Sequence, residues 1–324
     1  VQNNKRKKYV LASVAITAFY LIFAFASYIY NSVTSDNLGI STIVQQSSPG
    51  SHIKSGTPTT IKVLTFNVHG LPNTKDVSCD NLIKIGLALR DLRKKNLAPD
   101  IVAIQEGFHI KTRKLIELSG YPYAMEGPTG DKGEVVSGLW ILSEYPIVLN
   151  KTSIFNVCIS WDCLVNKGIQ LAAIKLSGDI ELQIFNTHMN SFPDSDPITS
   201  RKATVGIKEN QINQFFSWFA STINDKLPAI VLGDFNFKAR DPLYRKFEGL
   251  ISKHVPINNV FEEFLGKTLK AVPGTVDHQF LIKTKNTNVK LVPVRYERMF
   301  TDRTMSDHRG VLVEYRIIKV LQNM

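Results

Sequence analysis

Cysteine is scarce in this chain. There are three, Cys79, Cys158 and Cys163, with no CxxC and no mixed Cys/His pattern around them. Nothing here has the signature of a thiolate zinc site. In an exported protein Cys158 and Cys163 would close a small loop around Trp161 and leave Cys79 free; in a reducing compartment all three stay thiols. Internal repeats and low-complexity tracts are also missing beyond residue 60, so the chain is not a solenoid or an array. Acidic residues are in deficit, 28 Asp and Glu against 39 Lys and Arg, for a net charge of +11. An excess of this sign suits an anionic partner such as a phospholipid surface or a nucleic acid, and it also serves solubility alone.

Charge is absent altogether from Tyr9 to Tyr30, a run that also lacks Pro and Gly. A transmembrane helix needs about 20 such residues. Lys5, Arg6, Lys7 and Lys8 stand just before it, which would keep residues 1–8 cytoplasmic and place the rest of the chain on the far side. The reading is a signal anchor over 9–30. The alternative is a cleaved signal peptide with Ala24-Phe25-Ala26 as its small-residue site, giving a secreted product. Residues 31–60 are rich in Ser, Thr, Gly and Gln without apolar periodicity, and read as a flexible linker. The sequon at Asn150 matters only in a eukaryotic secretory compartment.

From Ile61 to the end, strand-like and helix-like segments alternate. Lys62–Phe66, Gly138–Leu142, Ile147–Phe155, Ile169–Leu176, Glu181–Phe185, Ala229–Leu232 and Val311–Tyr315 read as strands. Leu82, Ile85, Leu89 and Leu92 make one face of a helix that ends in Arg93, Lys94 and Lys95, charges suited to the helix C-terminus. Ser200 to Asn224 reads as a long helix with Val205, Ile212, Phe216, Phe219 and Ile223 on one side. The expectation is one mixed α/β layered domain over 61–324.

Several apolar runs end in carboxylate, carboxamide or imidazole groups: Asn67 after Leu64-Thr65-Phe66, Glu106 after Ile101–Gln105, Asp234 and Asn236 in Gly233-Asp234-Phe235-Asn236, His188 in Asn186-Thr187-His188, and Asp307-His308 near the end. A buried strand has no reason to finish in Glu or Asp unless something pairs with the charge. An oxygen-rich set without cysteine favours Mg²⁺ or Mn²⁺ over zinc. Asp234 and Asn236, two apart at a strand mouth, reach one pocket from the same side. His308 is an imidazole for proton transfer, and Asp277 is a candidate to fix its tautomer.

In this order, these motifs resemble the endonuclease/exonuclease/phosphatase superfamily, with its deoxyribonuclease I-like fold, over Ile61–Arg316. The resemblance implies an α/β, four-layer sandwich of two mixed β-sheets, here preceded by one N-terminal transmembrane helix. It implies metal binding by Asn67, Glu106 and Asp307, phosphate contact by His188 and Asn236, water positioning by Asp234, and catalysis by His308 oriented by Asp277. Within the superfamily the chain is most similar to neutral sphingomyelinases. The similarity lies in Asn67-Val68-His69-Gly70-Leu71-Pro72, in Ser137–Ser143, and in Asp162 and Lys167 five apart, the Lys being implied near the substrate head group. His69 departs from the aromatic residue usual there and from the Asp of abasic-site nucleases. The implied activity is Mg²⁺-dependent cleavage of a sphingophospholipid at a bilayer. The alternatives are an exported or anchored nuclease, with Arg295, Arg298, Arg303, Tyr296 and Phe300 as the basic and aromatic cluster for nucleic acid, and an inactive binding module.

Overall fold

The computed structural model describes residues 43–45, 58–71, 80–130, 136–192, 200–239, 241–259, 275–284 and 287–320. The apolar run at 9–30 and Cys79 lie outside them. Among the described residues no helix is long and apolar enough to cross a membrane.

Thirteen strands are described, β1 (Ile43–Gln45), β2 (Thr60–Asn67), β3 (Ile101–Gln105), β4 (Tyr123–Glu126), β5 (Trp140–Ser143), β6 (Ile147–Ile154), β7 (Gly168–Ser177), β8 (Ile180–His188), β9 (Ala229–Asp234), β10 (Ile257–Asn259), β11 (Asp277–Ile282), β12 (Val289–Met299) and β13 (Gly310–Lys319), with helices α1 (Asp80–Lys94), α2 (Lys111–Ser119), α3 (Arg201–Thr222) and α4 (Pro242–His254). They form a seven-stranded sheet in the order β1-β4-β5-β3-β2-β13-β12 and a six-stranded sheet in the order β10-β11-β9-β8-β7-β6. Side chains alternate across each strand. Val63, Ile101 and Ala103 meet Ile184, Ile230 and Leu232 in a core between the sheets. Their neighbours Leu64, Phe66, Val102 and Ile104 face α1 and α2 through Leu82, Ile85, Leu89 and Leu115. On the other side Phe185, Val231 and Phe280 face α3 and α4 through Ile212, Phe215, Tyr244 and Phe247. The result is four layers, helices–sheet–sheet–helices. With both faces covered, the central strands are continuous apolar runs.

Topology, more than any single residue, gathers the polar strand ends. Among the described strands each sheet has one parallel pair, β2 with β3 and β8 with β9. Parallel strands finish side by side, so Asn67 lies opposite Gln105, one residue before Glu106, and His188 lies opposite Asp234. β11 runs antiparallel to β9, which puts its first residue, Asp277, across from Asp234. β13 runs antiparallel to β2, with Val311 against Thr65, so the segment feeding β13 passes the end of β2. Cross-sheet hydrogen bonds tie the layers near this edge: Gln105 Nε2 donates to Asn186 Oδ1 at 2.7 Å, and Gln279 Nε2 donates to the carbonyls of Val63 and Val311 at 3.0 and 2.8 Å.

Three expectations change. Ile43–Gln45, inside the stretch read as a linker, pairs antiparallel with β4, so its backbone occupies what would be an open edge of that strand. The buried face of α3 is Thr204, Lys208, Gln211, Ile212, Phe215 and Phe219, whereas Val205, Phe216 and Ile223 flank it, partly buried. The helix is turned because its polar members bond loops near the site edge. The basic and aromatic cluster forms no stacking platform: Phe300 stacks on Phe66 with centroids 5.0 Å apart, Tyr296 packs against the core between the sheets, and Arg295 pairs with Glu297.

Candidate active site

Two turns of the same design begin the site. After β2, Asn67 Oδ1 accepts the His69 N–H at 3.0 Å; after β9, Asp234 Oδ1 accepts the Asn236 N–H at 2.9 Å. Such side-chain turns suit Asn and Asp and let the chain leave the sheet abruptly. His69, Glu106 and Asn236 all take left-handed backbone, with φ of 50°, 56° and 53°, a conformation that costs of order 1 kcal/mol for a non-glycine residue and concentrates at functional sites. Two glycines make the turns possible. A Cβ on Gly233 would stand 2.0 Å from the Thr187 carbonyl, and one on Gly70 would stand 2.7 Å from that of Glu106.

The turns are joined directly: Asn67 Nδ2 donates to Asp234 Oδ2 at 3.0 Å, both side chains being buried. Ser306 and Asn81 place the last motif. Ser306 donates to the Asn67 carbonyl at 2.7 Å and accepts the His308 N–H at 3.0 Å. Asn81 Nδ2 bonds the carbonyls of Val68 and Met305, each at 3.0 Å. Asn81 was not singled out from the sequence. Its signal is a carboxamide on the buried face of α1.

His308 is held between two carboxylates, its Nδ1 2.9 Å from Asp277 Oδ2 and its Nε2 3.8 Å from Asp234 Oδ2. Burial opposes a charge there, but Asp277 and then Asp234 outweigh it and raise the imidazole to about 10. Burial likewise pushes Asp234 up to about 6, with His308 working against it. His188 has the opposite surroundings. Its Nε2 lies 2.9 Å from Lys167 Nζ and 3.2 Å from Asn236 Nδ2. Full burial, then Lys167 and His308, hold it well below its usual value, so it is neutral. Lys167 is buried and pairs with Asp162 at 2.7 Å. The Asp162–Lys167 spacing seen in the sequence is therefore an ion pair beside the site. Cys158 and Cys163 are disulfide-bonded and bracket Asp162.

A buried lysine went unnoticed in the sequence. Lys208 of α3 donates to the Asn236 carbonyl and lies 3.9 Å from the centroid of the Phe192 ring. Burial brings it down to about 7. A lysine in line with Gln211 and Phe215 on one helix face was the available sign.

Glu106 projects between two histidines. Its Oε1 is 3.8 Å from His188 Nε2 and its Oε2 is 3.6 Å from His69 Nδ1, both beyond hydrogen-bond reach. Oε2 is buried without a hydrogen-bond partner, which is costly for a carboxylate. Asp307 Oδ1 stands 3.1 Å from the same His69 nitrogen. Against the upward push of burial, His69 and His308 hold Asp307 at about 2; Asp307 and then Glu106 raise His69 to about 10. Glu106, His188 and Asp234 also bring donor atoms within 4.8 Å of one another. A cation is disfavoured there, because the Lys167 ammonium already lies against the His188 nitrogen. Asp234, Asp277 and His308 form the other such group among the described residues, and Asp307 belongs to neither; Glu106, whose Oε2 has no hydrogen-bond partner, is a carboxylate with an oxygen to offer. Asn67, the third expected ligand, adjoins this place with its Oδ1 engaged by the His69 N–H.

Known proteins resemble this chain in sequence and in fold. The chain is 29% identical over 174 residues to a sphingomyelinase of Dictyostelium discoideum, a match covering 44% of this chain and 38% of that protein's length. It superposes on a mutant beta toxin from Staphylococcus aureus with bound magnesium ions, with a TM-score of 0.57, 17% identity, and coverage of 79% of this chain and 99% of the other. Sphingomyelinase C from Streptomyces griseocarneus gives a TM-score of 0.52 at 17% identity, covering 80% of this chain and 99% of the other. At such identities the two structures speak for the fold. The sequence profile of one family runs from residue 64 to 308, through every strand end described above, and the chain belongs to that family, the Endonuclease/Exonuclease/phosphatase family.

Proposed function

We propose that this chain is a metal-dependent phosphodiesterase of the sphingomyelinase C type, which hydrolyses sphingomyelin or a related sphingophospholipid to ceramide and a phosphorylated head group. The observation that carries the reading is the meeting, at one sheet edge, of the Asp277–His308–Asp234 and Lys167–His188–Asn236 groups beside an unpartnered Glu106 oxygen. Similarity to a sphingomyelinase supports the substrate class.

Glu106, Asp307 and Asn67 hold the cation, Mg²⁺ or Mn²⁺. When bound, it neutralises phosphate charge and stabilises the leaving alkoxide. Asp234 Oδ2 and His308 Nε2, 3.8 Å apart, are close enough for one water to bond both; Asp234 takes its proton, and His308, charged between its two carboxylates, steadies the negative charge that builds. The water oxygen forms a bond to phosphorus, and the bond from phosphorus to the ceramide oxygen breaks. Asp277 fixes the His308 ring so that Nε2 faces the reaction. His188, Asn236 and Lys167 stabilise charge building on the non-bridging oxygens. The Tyr9–Tyr30 run anchors the catalytic domain, 61–324, on the extracytoplasmic side of a membrane.

The test is hydrolysis of sphingomyelin vesicles beside plasmid DNA by one preparation, with and without EDTA. Phosphocholine release that EDTA abolishes, with intact plasmid, is expected. Plasmid nicking without lipid cleavage would move the chain to the nuclease reading, and neither activity at any cation would leave a binding module. Retention of the protein in membranes after alkaline carbonate washing checks the anchor.

A further inference from the structure

α3 turns a row of polar side chains, Lys208, Gln211 and Gln214, toward the chain that leaves three strands. Lys208 donates to the Asn236 carbonyl after β9. Gln211 accepts the Asn190 N–H after β8 and donates to the Val157 carbonyl after β6, both at 2.9 Å. Gln214 accepts the Asn156 N–H at 2.8 Å and donates to the Ile154 carbonyl at 2.7 Å. The glutamines meet neutral backbone with neutral amides. Lys208 meets it with a fully buried amino group, whose charge is far costlier to bury than an amide. Among the described residues no carboxylate stands within ion-pair distance of it. Its other neighbour is the Phe192 ring, which it shares with the Arg201 guanidinium, 4.5 Å from the same centroid. A group kept at that cost points to a bond the site requires.

The bond is to Asn236. That residue has left-handed backbone, φ 53°, and its N–H is held by Asp234 Oδ1 at 2.9 Å. One hydrogen of its carboxamide goes to the Met189 carbonyl at 2.9 Å, which leaves the other directed at His188 Nε2, 3.2 Å away. The next carbonyl, that of Phe237, accepts from His278 Nε2 at 2.8 Å. Two successive carbonyls at the turn are thus clamped by buried side chains from other elements, one on α3 and one on β11. Without Lys208 the Asn236 carbonyl loses its donor, and a left-handed residue is free to relax toward commoner backbone. We propose that Lys208 is a positioning residue of the hydrolysis, which clamps the Asn236 carbonyl and thereby aims the Asn236 carboxamide at the phosphate. The proposal rests on the phosphate placement under Proposed function and not on where the cation binds.

The full chain, Lys208→Met, Asn236→Gly and the double variant are compared in kcat and KM on sphingomyelin vesicles and on bis(p-nitrophenyl) phosphate. Methionine keeps the length and the packing on Phe192 without a donor, and Lys208→Leu replaces it if its circular dichroism departs from the wild type. Glycine removes the carboxamide yet accepts left-handed backbone. Lys208→Met should lower kcat by about 10- to 100-fold with KM little changed, because a misplacement of about 1 Å can cost about 10²-fold. The double variant should match Asn236→Gly within about twofold, since no carboxamide is left to misplace. The ¹H–¹⁵N signals of the Asn236 carboxamide, assigned by their loss in Asn236→Gly, should shift in Lys208→Met. Losses that multiply in the double variant, an unchanged kcat in Lys208→Met, or carboxamide signals that stay in place each overturn the role of Lys208 and leave the reading of the site intact. A wild type that hydrolyses neither substrate overturns that reading, and the role of Lys208 with it, even where the carboxamide signals shift.

Discussion

Two imidazoles in this site are each flanked by two carboxylates, yet they are built differently. His308 lies between Asp277 and Asp234, whose side chains are 6% and 1% exposed. His69 lies between Glu106 and Asp307, at 16% and 59%. Both rings are raised to about 10, so charge alone does not separate them. Anchoring does. Asp234 and Asp277 face one another on hydrogen-bonded strands, whereas Glu106 follows a strand end and Asp307 sits in a turn. A buried pair on strands fixes an orientation and excludes exchange. The pair around His69 joins an exposed carboxylate, Asp307, to a Glu106 oxygen with no hydrogen-bond partner. On the proposed function, the enclosed half positions a proton and the open half lies beside the cation.

Asp234→Asn attacks the enclosed half at its centre and carries the largest expected effect. It keeps the size of the side chain but removes the acceptor nearest the reacting water. A loss of about 10³- to 10⁴-fold in kcat is expected, the upper part of the range of about 10²- to 10⁴-fold for a positioned acid or base, and added Mg²⁺ should not restore it. Asp277→Asn comes next. It acts through the orientation and tautomer of His308, so a loss of about 10²- to 10³-fold is expected in kcat with KM little changed. Partial recovery at high Mg²⁺ in either variant would erase the distinction between the two halves.

Asp307→Asn tests the open half. Here a loss of about 10- to 100-fold at low Mg²⁺, the size typical of a weakened metal site, should be regained as the cation is raised, because Glu106 and Asn67 remain. Metal titrations of kcat/KM for Asp307→Asn and Asp277→Asn, plotted together, measure the contrast. Parallel curves would show that exposure makes no difference.

How far this contrast was legible in the sequence depends on what each residue is near. The strand ends stood out because Glu106, Asp234 and His188 follow apolar runs, a local signal. Their convergence depends on parallel pairing of β2 with β3 and β8 with β9, which no local pattern encodes. β11 escaped notice since Asp277, His278 and Gln279 make its first half polar, although all are buried; their partners, His308, the Phe237 carbonyl and the carbonyls of Val63 and Val311, lie far along the chain. β12 was hidden by Pro293, tolerated because this is an edge strand with an irregular register there. α4 was also passed over, although its start is signalled locally: Asp241 caps it and Pro242 opens it. Lys208 and Asn81 look like ordinary surface residues until helix rotation is known, and rotation is set by packing.

The third imidazole, His188, sharpens the comparison because its neighbour has the opposite sign. Burial and then Lys167 keep it neutral, and Lys167 in turn is held by Asp162, whose other oxygen accepts the N–H and hydroxyl of Ser191 at 2.6 and 2.9 Å. Asp162 lies on a single 3-10 turn, Ser160–Leu164, closed by the Cys158–Cys163 disulfide. Opening the disulfide with a Cys158→Ser, Cys163→Ser double variant removes a short covalent loop, for which chain entropy gives about 2 kcal/mol of stability. The ion pair itself survives, since both partners remain, but the turn that aims Asp162 becomes looser. The ammonium then spends less time against His188 and the phosphate. Lys167 then supports both the bound phosphate and the charge that builds on it less well, so the expected outcome is a kcat/KM lowered by about two- to fivefold, with KM raised as well as kcat lowered, and a lower melting temperature. A fall in kcat at constant KM would instead place Lys167 in transition-state stabilisation alone, and the sign of the charge beside His188 would then matter to catalysis as much as the carboxylates beside His308.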